Sequence, residues 1–383
     1  MSKNSWVSVS EIRAFFATAA EGTEPALHDE LKELGLKGVR PKNGGIPFQG
    51  TPADGWRVCL HSRVASRVLM LLARFPVPDR EALYAAVGAV DWAEYLTHRH
   101  TLAVACVCNG SRAFSHSGMP ALVVKDAIVD QLRARTGNRP SVDRVDPDVR
   151  VFLHIGGDRA ALYLDLAGAQ PLGRRGYRTE AGEAPLREPL AAAILRLAQW
   201  DRRMPLIDPM CGSGTLPIEA AMWARNLAPG LPRERFGFER WACFDATGQD
   251  TLRRLCGEAR AAVLSSSPRI VAADHDPAMV DIARANARRA GVRLAFRCQA
   301  LERLDTGGEP RFVVLNPPYD ERLPVDPDAC RRIMTALSRL HGCRVAMITA
   351  LPEYRRVMSL DPVLCLPLRN GALDSRLLVW DIP

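Results

Sequence analysis

Several features that would place a chain in a membrane or in an oxidising compartment are missing from this sequence of 383 residues. It has no run of about 18 or more apolar residues, which a membrane-spanning helix would need. Its N-terminus lacks the apolar core and the small-residue cleavage site of a signal peptide. The ten cysteines include no CxxC pair, which argues against a zinc site. We therefore expect a cytoplasmic protein with reduced thiols and no metal centre.

Lysine is also scarce, because Lys125 is the only lysine after Lys42 and arginine supplies most of the positive charge. The formal net charge is +8 and the pI is about 9.1. A basic excess of this size fits a polyanionic partner such as nucleic acid, and it fits an ordinary solvated surface equally well. The chain is 47% hydrophobic and 25% charged, as in ordinary globular proteins, and its length suggests two or three domains.

The first 167 residues predict an α+β module, because short strands and helices are mixed along them. A segment rich in glycine, proline and arginine follows over 168–189 and predicts a linker. The predicted elements before this linker are a strand and an amphipathic helix within 11–35, a strand and then a helix within 55–75, a strand over 101–109, a helix over 123–137 and a hairpin over 149–168.

After about residue 190 the pattern changes to strand, turn and helix, repeated several times. The apolar strand segments are short and each is followed by a helix-like segment. This rhythm predicts an α/β fold with a doubly wound parallel sheet. In such sheets ligands bind at the carboxyl ends of the strands, so the residues just after each strand are the candidates for function.

The first candidate stretch is LIDPMCGSGTLPIEAA, residues 206–221. Pro217 is tolerated only in the first turn of a helix, which places the helix start near Thr215. Two glycines allow a ligand to lie against bare backbone at the helix N-terminus. A phosphate-binding loop would need GxxxxGK[ST], and this turn has no lysine, so nucleoside triphosphate binding is not expected. The candidate ligand contacts are Asp208, Pro209, Cys211, Gly212, Ser213, Gly214 and Thr215, and a plain tight turn is the alternative.

The second candidate stretch is IVAADHDP, residues 270–277, in which a strand ends at Asp274. A carboxylate at this position can accept two hydrogen bonds from a ribose diol. Asp276 precedes a proline and is expected to cap the next helix. His275 could pack on an adenine ring, and it could equally be an ordinary turn residue.

The third candidate stretch is VVLNPPY, residues 313–319, in which a buried strand ends at an asparagine. Two prolines remove two backbone donors and lock φ, so the turn is rigid. The side-chain oxygen of Asn316 and the carbonyl of Pro317 can both accept hydrogen bonds from an exocyclic amine, and Tyr319 can stack on the ring that carries it. We therefore predict that Asn316, Pro317, Pro318 and Tyr319 are catalytic, with a rigid turn as the alternative.

These three stretches, in this order, resemble class I S-adenosylmethionine-dependent methyltransferases that methylate amines through an NPPY motif. The stretches FFATAA, VVKDAIVDQLR, RRGYR and NGALDSRLL are similar to bacterial THUMP-domain methyltransferases that modify the guanine N2 amine of 23S rRNA. The resemblance spans nearly the whole chain. It implies a Rossmann-like catalytic domain whose last strand, near 376–381, is antiparallel. The implied division is a ferredoxin-like segment over 1–58, a THUMP RNA-binding domain over 59–167, the linker over 168–189 and the methyltransferase domain over 190–383.

The resemblance also implies the partners and the roles of the site residues. The cofactor would be S-adenosylmethionine, with S-adenosylhomocysteine as product, and the substrate would be 23S rRNA or a large-subunit precursor, bound by a monomer. The turn around Gly212 and Gly214 would line the cofactor, and Asn316 would lie beside the cofactor. Asp274 would hold the cofactor's ribose. The RGYR segment, residues 175–178, would contact RNA or form contacts between the domains. The residues assigned to RNA in this way are Lys125, Arg175, Tyr177 and Arg178.

The sequence departs from the family pattern at two positions near the site. Ala300 stands where an acid often accepts from the cofactor adenine, so either a backbone group serves, or Glu302 substitutes, or the cofactor binds more weakly. Asp320 replaces the glycine of NPPYGERL. Some members carry a second methyltransferase domain after the first, which we do not expect here. The alternatives left open are tRNA guanine-N2, nucleic-acid adenine-N6 and protein glutamine-N5 methylation, and a non-catalytic RNA-binding assembly factor.

Overall fold

The computed structural model describes residues 11–178, 186–304, 311–317, 327–358 and 360–383. These residues form two seven-stranded sheets, one from each half of the chain. Helices pack on both sheets, and the two halves share a hydrophobic core.

The N-terminal sheet is mixed, with strands that are mainly antiparallel. Its strands are β1 (Arg13–Thr18), β2 (Gly45–Gly50), β3 (Arg67–Pro76), β4 (Thr101–Asn109), β5 (Ser141–Val142), β6 (Val149–Gly156) and β7 (Arg159–Asp165). Its helices are α1 (Glu24–Glu33), α2 (Pro52–His61), α3 (Arg80–Gly88) and α4 (Gly118–Thr136). The strand order is β2-β1-β3-β7-β6-β4-β5. Because β3 pairs with both β1 and β7, the first strands of the chain and the later hairpin belong to one continuous sheet.

The predicted strand and helix within 55–75 occur in the opposite order, so this prediction was wrong. Helix α2 comes first and β3 follows it. The reason is a capping box at Thr51, whose hydroxyl accepts from the Asp54 N–H while the Asp54 carboxylate accepts from the Thr51 N–H. These reciprocal bonds satisfy backbone donors that only a helix start leaves free. The predicted hairpin is confirmed, and α4 ends at Gly137 with φ +73° as expected.

The C-terminal sheet has the predicted doubly wound architecture. Its strands are β8 (Leu206–Asp208), β9 (Ile270–Asp274), β10 (Ala295–Cys298), β11 (Phe312–Leu315), β12 (Arg344–Thr349), β13 (Leu364–Asn370) and β14 (Leu373–Asp381). Its helices are α5 (Glu188–Leu197), α6 (Thr215–Ala224), α7 (Ala246–Ala261), α8 (Pro277–Arg289), α9 (Pro327–Ser338) and α10 (Glu353–Val357). The order is β10-β9-β8-β11-β12-β14-β13, and β14 is antiparallel to both of its neighbours. The predicted antiparallel last strand is therefore confirmed.

The strand order reverses between β8 and β11, which pair in parallel at the centre of the sheet. Beyond β8 lie β9 and β10, and beyond β11 lies β12. A ligand crevice forms at such a switch point, outside the carboxyl ends of the strands. The same edge of the sheet therefore carries Asp208 at the end of β8, Asp274 at the end of β9 and Asn316 directly after β11.

An aromatic segment between α6 and α7 joins the two halves of the molecule. Phe236, Phe238 and Trp241 are buried in the same core as residues of the N-terminal sheet. The rings of Trp56, on α2, and Phe238 stack with centroids 4.9 Å apart. Aromatic side chains bury large areas and dominate core energetics. The C-terminal half therefore contributes directly to the hydrophobic core of the N-terminal half.

Buried polar contacts reinforce the same junction through Arg63, which follows α2. Its guanidinium donates to the carbonyl oxygens of Met222 at 3.2 Å and Leu227 at 2.7 Å, at the end of α6. Its backbone N–H donates to the carboxylate of Glu30 on α1. Burial lowers the pKa of Arg63 to about 10, which leaves the side chain charged at neutral pH. The N-terminal half thus holds the end of α6 through a buried cation.

The described residues contain neither a candidate membrane span nor a candidate metal site. None of the helices in the described ranges is both long enough and apolar enough to cross a bilayer. Across the same ranges, no three histidine, cysteine or acidic side chains are grouped as metal ligands would be.

Candidate active site

The turn between β8 and α6, which we call the glycine turn, has two glycines: the backbone is open to a ligand at Gly212 and tightly packed at Gly214. Gly212 has φ +50° and Gly214 has φ +86°, backbone conformations that residues other than glycine rarely adopt. A β-carbon on Gly214 would lie 3.0 Å from the Cβ of Ala283, so this glycine allows α6 to pack on α8. A β-carbon on Gly212 would meet nothing within 4 Å. Gly212 therefore presents open backbone, and α6 begins at Thr215 as predicted.

Asp274 connects the end of β9 to this turn. One carboxylate oxygen accepts from the Gly212 N–H at 2.9 Å and the other accepts from the Asp276 N–H at 3.0 Å. Each oxygen keeps a further acceptor site, which is what a ribose diol requires. Asp276 caps α8 by accepting from the Ala278 N–H, as predicted. The neighbouring imidazole of His275 is 76% exposed, with Nδ1 3.2 Å from Asp274.

Asp208 and Cys211 are buried at the base of the turn. The Asp208 carboxylate accepts from the Met210 N–H at 3.0 Å. Burial raises the pKa of Asp208 well above its usual value, and the nearby carboxylate of Asp274 raises it further. Burial likewise raises the pKa of the Cys211 thiol, so this cysteine lacks the thiolate character of a nucleophile. Both side chains shape the turn and neither is poised as a reactive group.

Asn316 offers an acceptor that the described protein does not use. Its side-chain oxygen is buried and receives no hydrogen bond from any described residue. Buried polar atoms are nearly always hydrogen-bonded, so an exception at a strand end calls for an explanation. Asn316 borders a cavity of about 120 Å³ together with the glycine turn. Six predicted site residues line this cavity, namely Asp208, Cys211, Gly212, Ser213, Thr215 and Asn316.

Comparison with protein families agrees with this geometry. The RMKL-like methyltransferase domain of the UPF0020 family matches residues 175–378, which is more than half of the chain. The chain belongs to this family. The RlmL ferredoxin-like domain matches residues 14–69 and the THUMP domain matches residues 78–165. The predicted family and fold class are thereby confirmed.

Individual relatives of this RMKL-like chain cover it almost completely. It is 45% identical to the ribosomal RNA large subunit methyltransferase K/L of Syntrophotalea carbinolica, over 96% of this chain and 53% of that protein. The chain spans about half the length of the curated relatives it matches. The crystal structure of SMU.472 complexed with SAH is 29% identical, with a TM-score of 0.86 over 97% of this chain and 99% of that one. A predicted N6-adenine-specific DNA methylase from Listeria monocytogenes is also 29% identical, with a TM-score of 0.86 and 97% of each chain covered.

Of the remaining predicted site residues, two prolines are described by the structure and two residues of the NPPY motif are not. Pro209 is buried directly after Asp208, and Pro317 is buried directly after Asn316. Pro318 and Tyr319 lie outside the described residues, as does the departure from the family pattern at residue 320. The predicted base-stacking role of the tyrosine therefore stays a prediction.

Sequence reasoning missed Asn286, which holds the glycine turn in place. It is fully buried on α8, and its side-chain NH₂ donates to the Ser213 carbonyl at 2.9 Å. The available signal was an asparagine beside the buried positions Ala283 and Ala287. Met279, in the first turn of α8, also lines the cavity, and nothing in the sequence pattern marked it.

The position at which the family often has an acid is filled by Ala300, which offers no side-chain acceptor. Glu302 was considered as a substitute. It is exposed and lines a surface depression with Arg331 and Arg339, around α9. It does not line the cavity beside the glycine turn. The adenine contact, through a backbone group or not at all, therefore stays a prediction.

The structure corrects the assignment of the RGYR segment to RNA. Arg175 has a side chain that is 1% exposed, with Nε 3.4 Å from the carboxylate of Glu219 on α6. The hydroxyl of Tyr177 donates to the same carboxylate at 3.1 Å. Arg178 is largely buried and donates to Glu188 at 3.0 Å. An isolated buried charge is costly, so these groups pair inside the protein. Arg175 also donates to the Arg63 carbonyl of the N-terminal half, so the inter-domain alternative describes Arg175, whereas Tyr177 and Arg178 bind helices of the C-terminal half.

Lys125 remains available as an RNA contact. It lies on α4, with a side chain that is 30% exposed and paired with the neighbouring Asp126. A pair this exposed contributes little and can be exchanged for a phosphate. An RNA contact at Lys125 therefore stays a prediction.

Proposed function

We propose that this protein transfers a methyl group from S-adenosylmethionine to the exocyclic N2 amine of a guanine in 23S rRNA. It would act in the cytoplasm, as a monomer, on the rRNA or on a large-subunit precursor. The observation that carries the proposal is the buried, unused oxygen of Asn316 at the edge of the cavity. An amine donor is the partner that this acceptor lacks.

The residues around the cavity fit the cofactor. Open backbone at Gly212 permits close approach of a ligand, and the carboxylate of Asp274 has acceptor sites left for ribose hydroxyls. The cofactor supplies an electrophilic methyl group on a sulfonium. The residues proposed to contact it are Asp208, Pro209, Cys211, Gly212, Ser213, Gly214, Thr215, Asp274, His275 and Asn316.

To catalyse this reaction, the protein must activate the guanine N2 amine, which is a poor nucleophile. The lone pair of the guanine N2 amine is delocalised into the ring. Hydrogen bonds from the amine to the Asn316 oxygen and to the Pro317 carbonyl would localise that pair and direct it at the methyl carbon. The same two acceptors would stabilise the positive charge that develops on nitrogen, because fixed dipoles need no reorganisation during reaction. The new bond between the amine nitrogen and the methyl carbon would replace the bond between methyl and sulfur, so that S-adenosylhomocysteine is released, and the extra proton on nitrogen would pass to water.

The choice of rRNA rests on the relatives, and the choice of guanine rests on the resemblance of the sequence motifs. The relative from Syntrophotalea carbinolica is named for large-subunit rRNA, and the ferredoxin-like and THUMP matches cover the N-terminal half. Adenine-N6 methylation is the second candidate, because the Listeria relative is described in those terms and an Asn-Pro-Pro-Tyr turn recognises an amine, whichever base carries it. Both reactions would use the same acceptors.

The deciding experiment uses a strain that lacks the gene. Its 23S rRNA and its tRNA are digested to nucleosides, and N2-methylguanosine and N6-methyladenosine are compared with the parent strain by mass spectrometry. We expect N2-methylguanosine to fall in 23S rRNA alone. A loss confined to tRNA, or to N6-methyladenosine, would overturn the substrate. A chain without catalysis would leave every nucleoside unchanged, and an unchanged melting temperature on adding S-adenosylmethionine would show that it does not bind the cofactor.

A further inference from the structure

A second, larger cavity opens on the same edge of the sheet as the candidate active site. Its volume is about 630 Å³, and it begins at Thr349, the last residue of β12. Strand β12 is the neighbour of β11 on the side away from the glycine turn. The register pairs Leu315 with Met347, so Asn316 follows on the neighbouring strand, roughly 4.8 Å from β12 and one residue short of the level of Thr349. The cavity is therefore adjacent to the place where the target amine would sit.

The floor of this cavity is one face of the β13–β14 hairpin. Pro367 pairs with Arg376, and Arg369 pairs with Asp374. Residues two apart on a strand share a face, so these four side chains project on the same side of the sheet. Arg355, on α10, stands at the opposite rim. We name this feature the arginine groove, after Arg355, Arg369 and Arg376.

The N-terminal half supplies the remaining wall through Glu21 and Gly22. The Arg369 N–H donates to the Glu21 carbonyl at 3.1 Å. Gly22 has φ +86°, and a β-carbon there would lie 2.3 Å from the carbonyl oxygen of Pro367. The loop before α1 is therefore seated directly on β13. The arginine groove is built jointly by the half that contains the THUMP match and by the half that contains the glycine turn.

The groove carries a surplus of positive charge over an apolar floor. Its two acids, Glu21 and Asp374, both lie 3.7 Å from Arg369 and are 76% and 93% exposed. Pairs this exposed are weak. The described ion pairs of the groove involve Arg369 alone, so Arg355 and Arg376 are not neutralised by its acids. Leucine and proline side chains line the floor between the arginines.

We propose that the arginine groove holds the single-stranded RNA segment next to the target nucleotide. A base presented to a recessed acceptor must leave its stack, and the chain on one side of it must then be held unpaired. A groove with cationic rims and an apolar floor fits such a segment, because arginines meet the phosphates while bases lie on apolar surface. The inference rests on the proposed function, since it takes RNA as the substrate.

The test compares the wild-type full chain with the double variant Arg355→Ala/Arg376→Ala. Both side chains are exposed, and neither belongs to the proposed cofactor or amine site. The matched control is Arg253→Ala, an arginine that is 73% exposed on α7. Binding of a short mixed-sequence single-stranded RNA is measured over a range of salt concentrations. Methylation of an unmodified 23S rRNA transcript and affinity for S-adenosylhomocysteine are measured in parallel.

Two lost phosphate contacts should lower the slope of log affinity against log salt by about 1.4 and weaken RNA binding roughly tenfold. Methylation kcat/KM should fall with it, while cofactor affinity and the Arg253→Ala control remain at the wild-type value. An unchanged slope with unchanged kcat/KM would overturn the groove and leave the proposed function standing. If the double variant has a reduced slope but the wild-type protein does not methylate 23S rRNA, the groove would be supported and the proposed function overturned.

Discussion

Replacing Asn316 with alanine separates what its buried oxygen does for catalysis from what it does for folding. In the described structure this oxygen receives no hydrogen bond, so its removal breaks none within the described residues. If it accepts from the target amine as proposed, its loss should raise the barrier by about 2.7–4 kcal/mol, by analogy with a lost oxyanion-hole donor. The turnover rate should then fall roughly 100–1000-fold. The free energy of unfolding should change by no more than about 1 kcal/mol.

The assay is single-turnover methylation of 23S rRNA with RNA and cofactor both saturating, beside urea unfolding and calorimetric titration of the cofactor. Asn286→Ala is the matched control, because that buried asparagine does donate to the Ser213 carbonyl. Its truncation leaves a buried acceptor unpaired and should cost about 1–3 kcal/mol of stability. Normal turnover in Asn316→Ala would refute the proposed mechanism. A loss of stability in Asn316→Ala equal to that of the control would show that the oxygen is structural.

Three further predictions test the surroundings of the site. Asp274→Asn should weaken S-adenosylmethionine binding roughly 10–100-fold, measured by calorimetry, because the NH₂ of the new asparagine must face one of two backbone N–H donors. A wild-type affinity in this variant would refute the role of Asp274. Gly214→Ala should lose about 1–3 kcal/mol of unfolding free energy in urea, given its φ of +86°, and an unchanged midpoint would contradict the strain argument. Glu219→Ala should lose about 3–5 kcal/mol by stranding the buried Arg175, whereas Arg253→Ala should stay within about 0.5 kcal/mol; equal losses would disprove the buried pair.

The units that build the site were predictable because each is encoded within a few adjacent residues. A proline fixed the start of α6 near Thr215, and the pair Asp276–Pro277 fixed the start of α8. The switch point followed from the repeated strand–turn–helix rhythm, since parallel strands place their carboxyl ends on one edge. Local constraints of this kind need no knowledge of what packs against them.

Two of the failures depend on contacts between distant parts of the chain, whereas the first concerns a local signal. The residues within 55–75 have enough apolar character for either element, and the capping box at Thr51 decides the order. Arg175 and Tyr177 look like surface residues of a basic linker until Glu219, far along the chain, is brought against them. The role of Asn286 likewise requires α8 to lie beside the glycine turn. Sequence spacing carries no information about the contacts of Glu219 and Asn286, whereas the spacing of Thr51 and Asp54 does indicate a helix start.

The aromatic segment of the catalytic half that enters the N-terminal core makes the whole chain the smallest workable unit. A catalytic fragment made alone would bring Phe236, Phe238 and Trp241 into water and would leave the carbonyls of Met222 and Leu227 without the cation that now binds them. Such an apolar patch drives self-association. Grafting this catalytic half onto a different RNA-binding module would require that module to reproduce the same aromatic seat. Cutting the chain between the two halves would therefore leave both without part of their shared hydrophobic core.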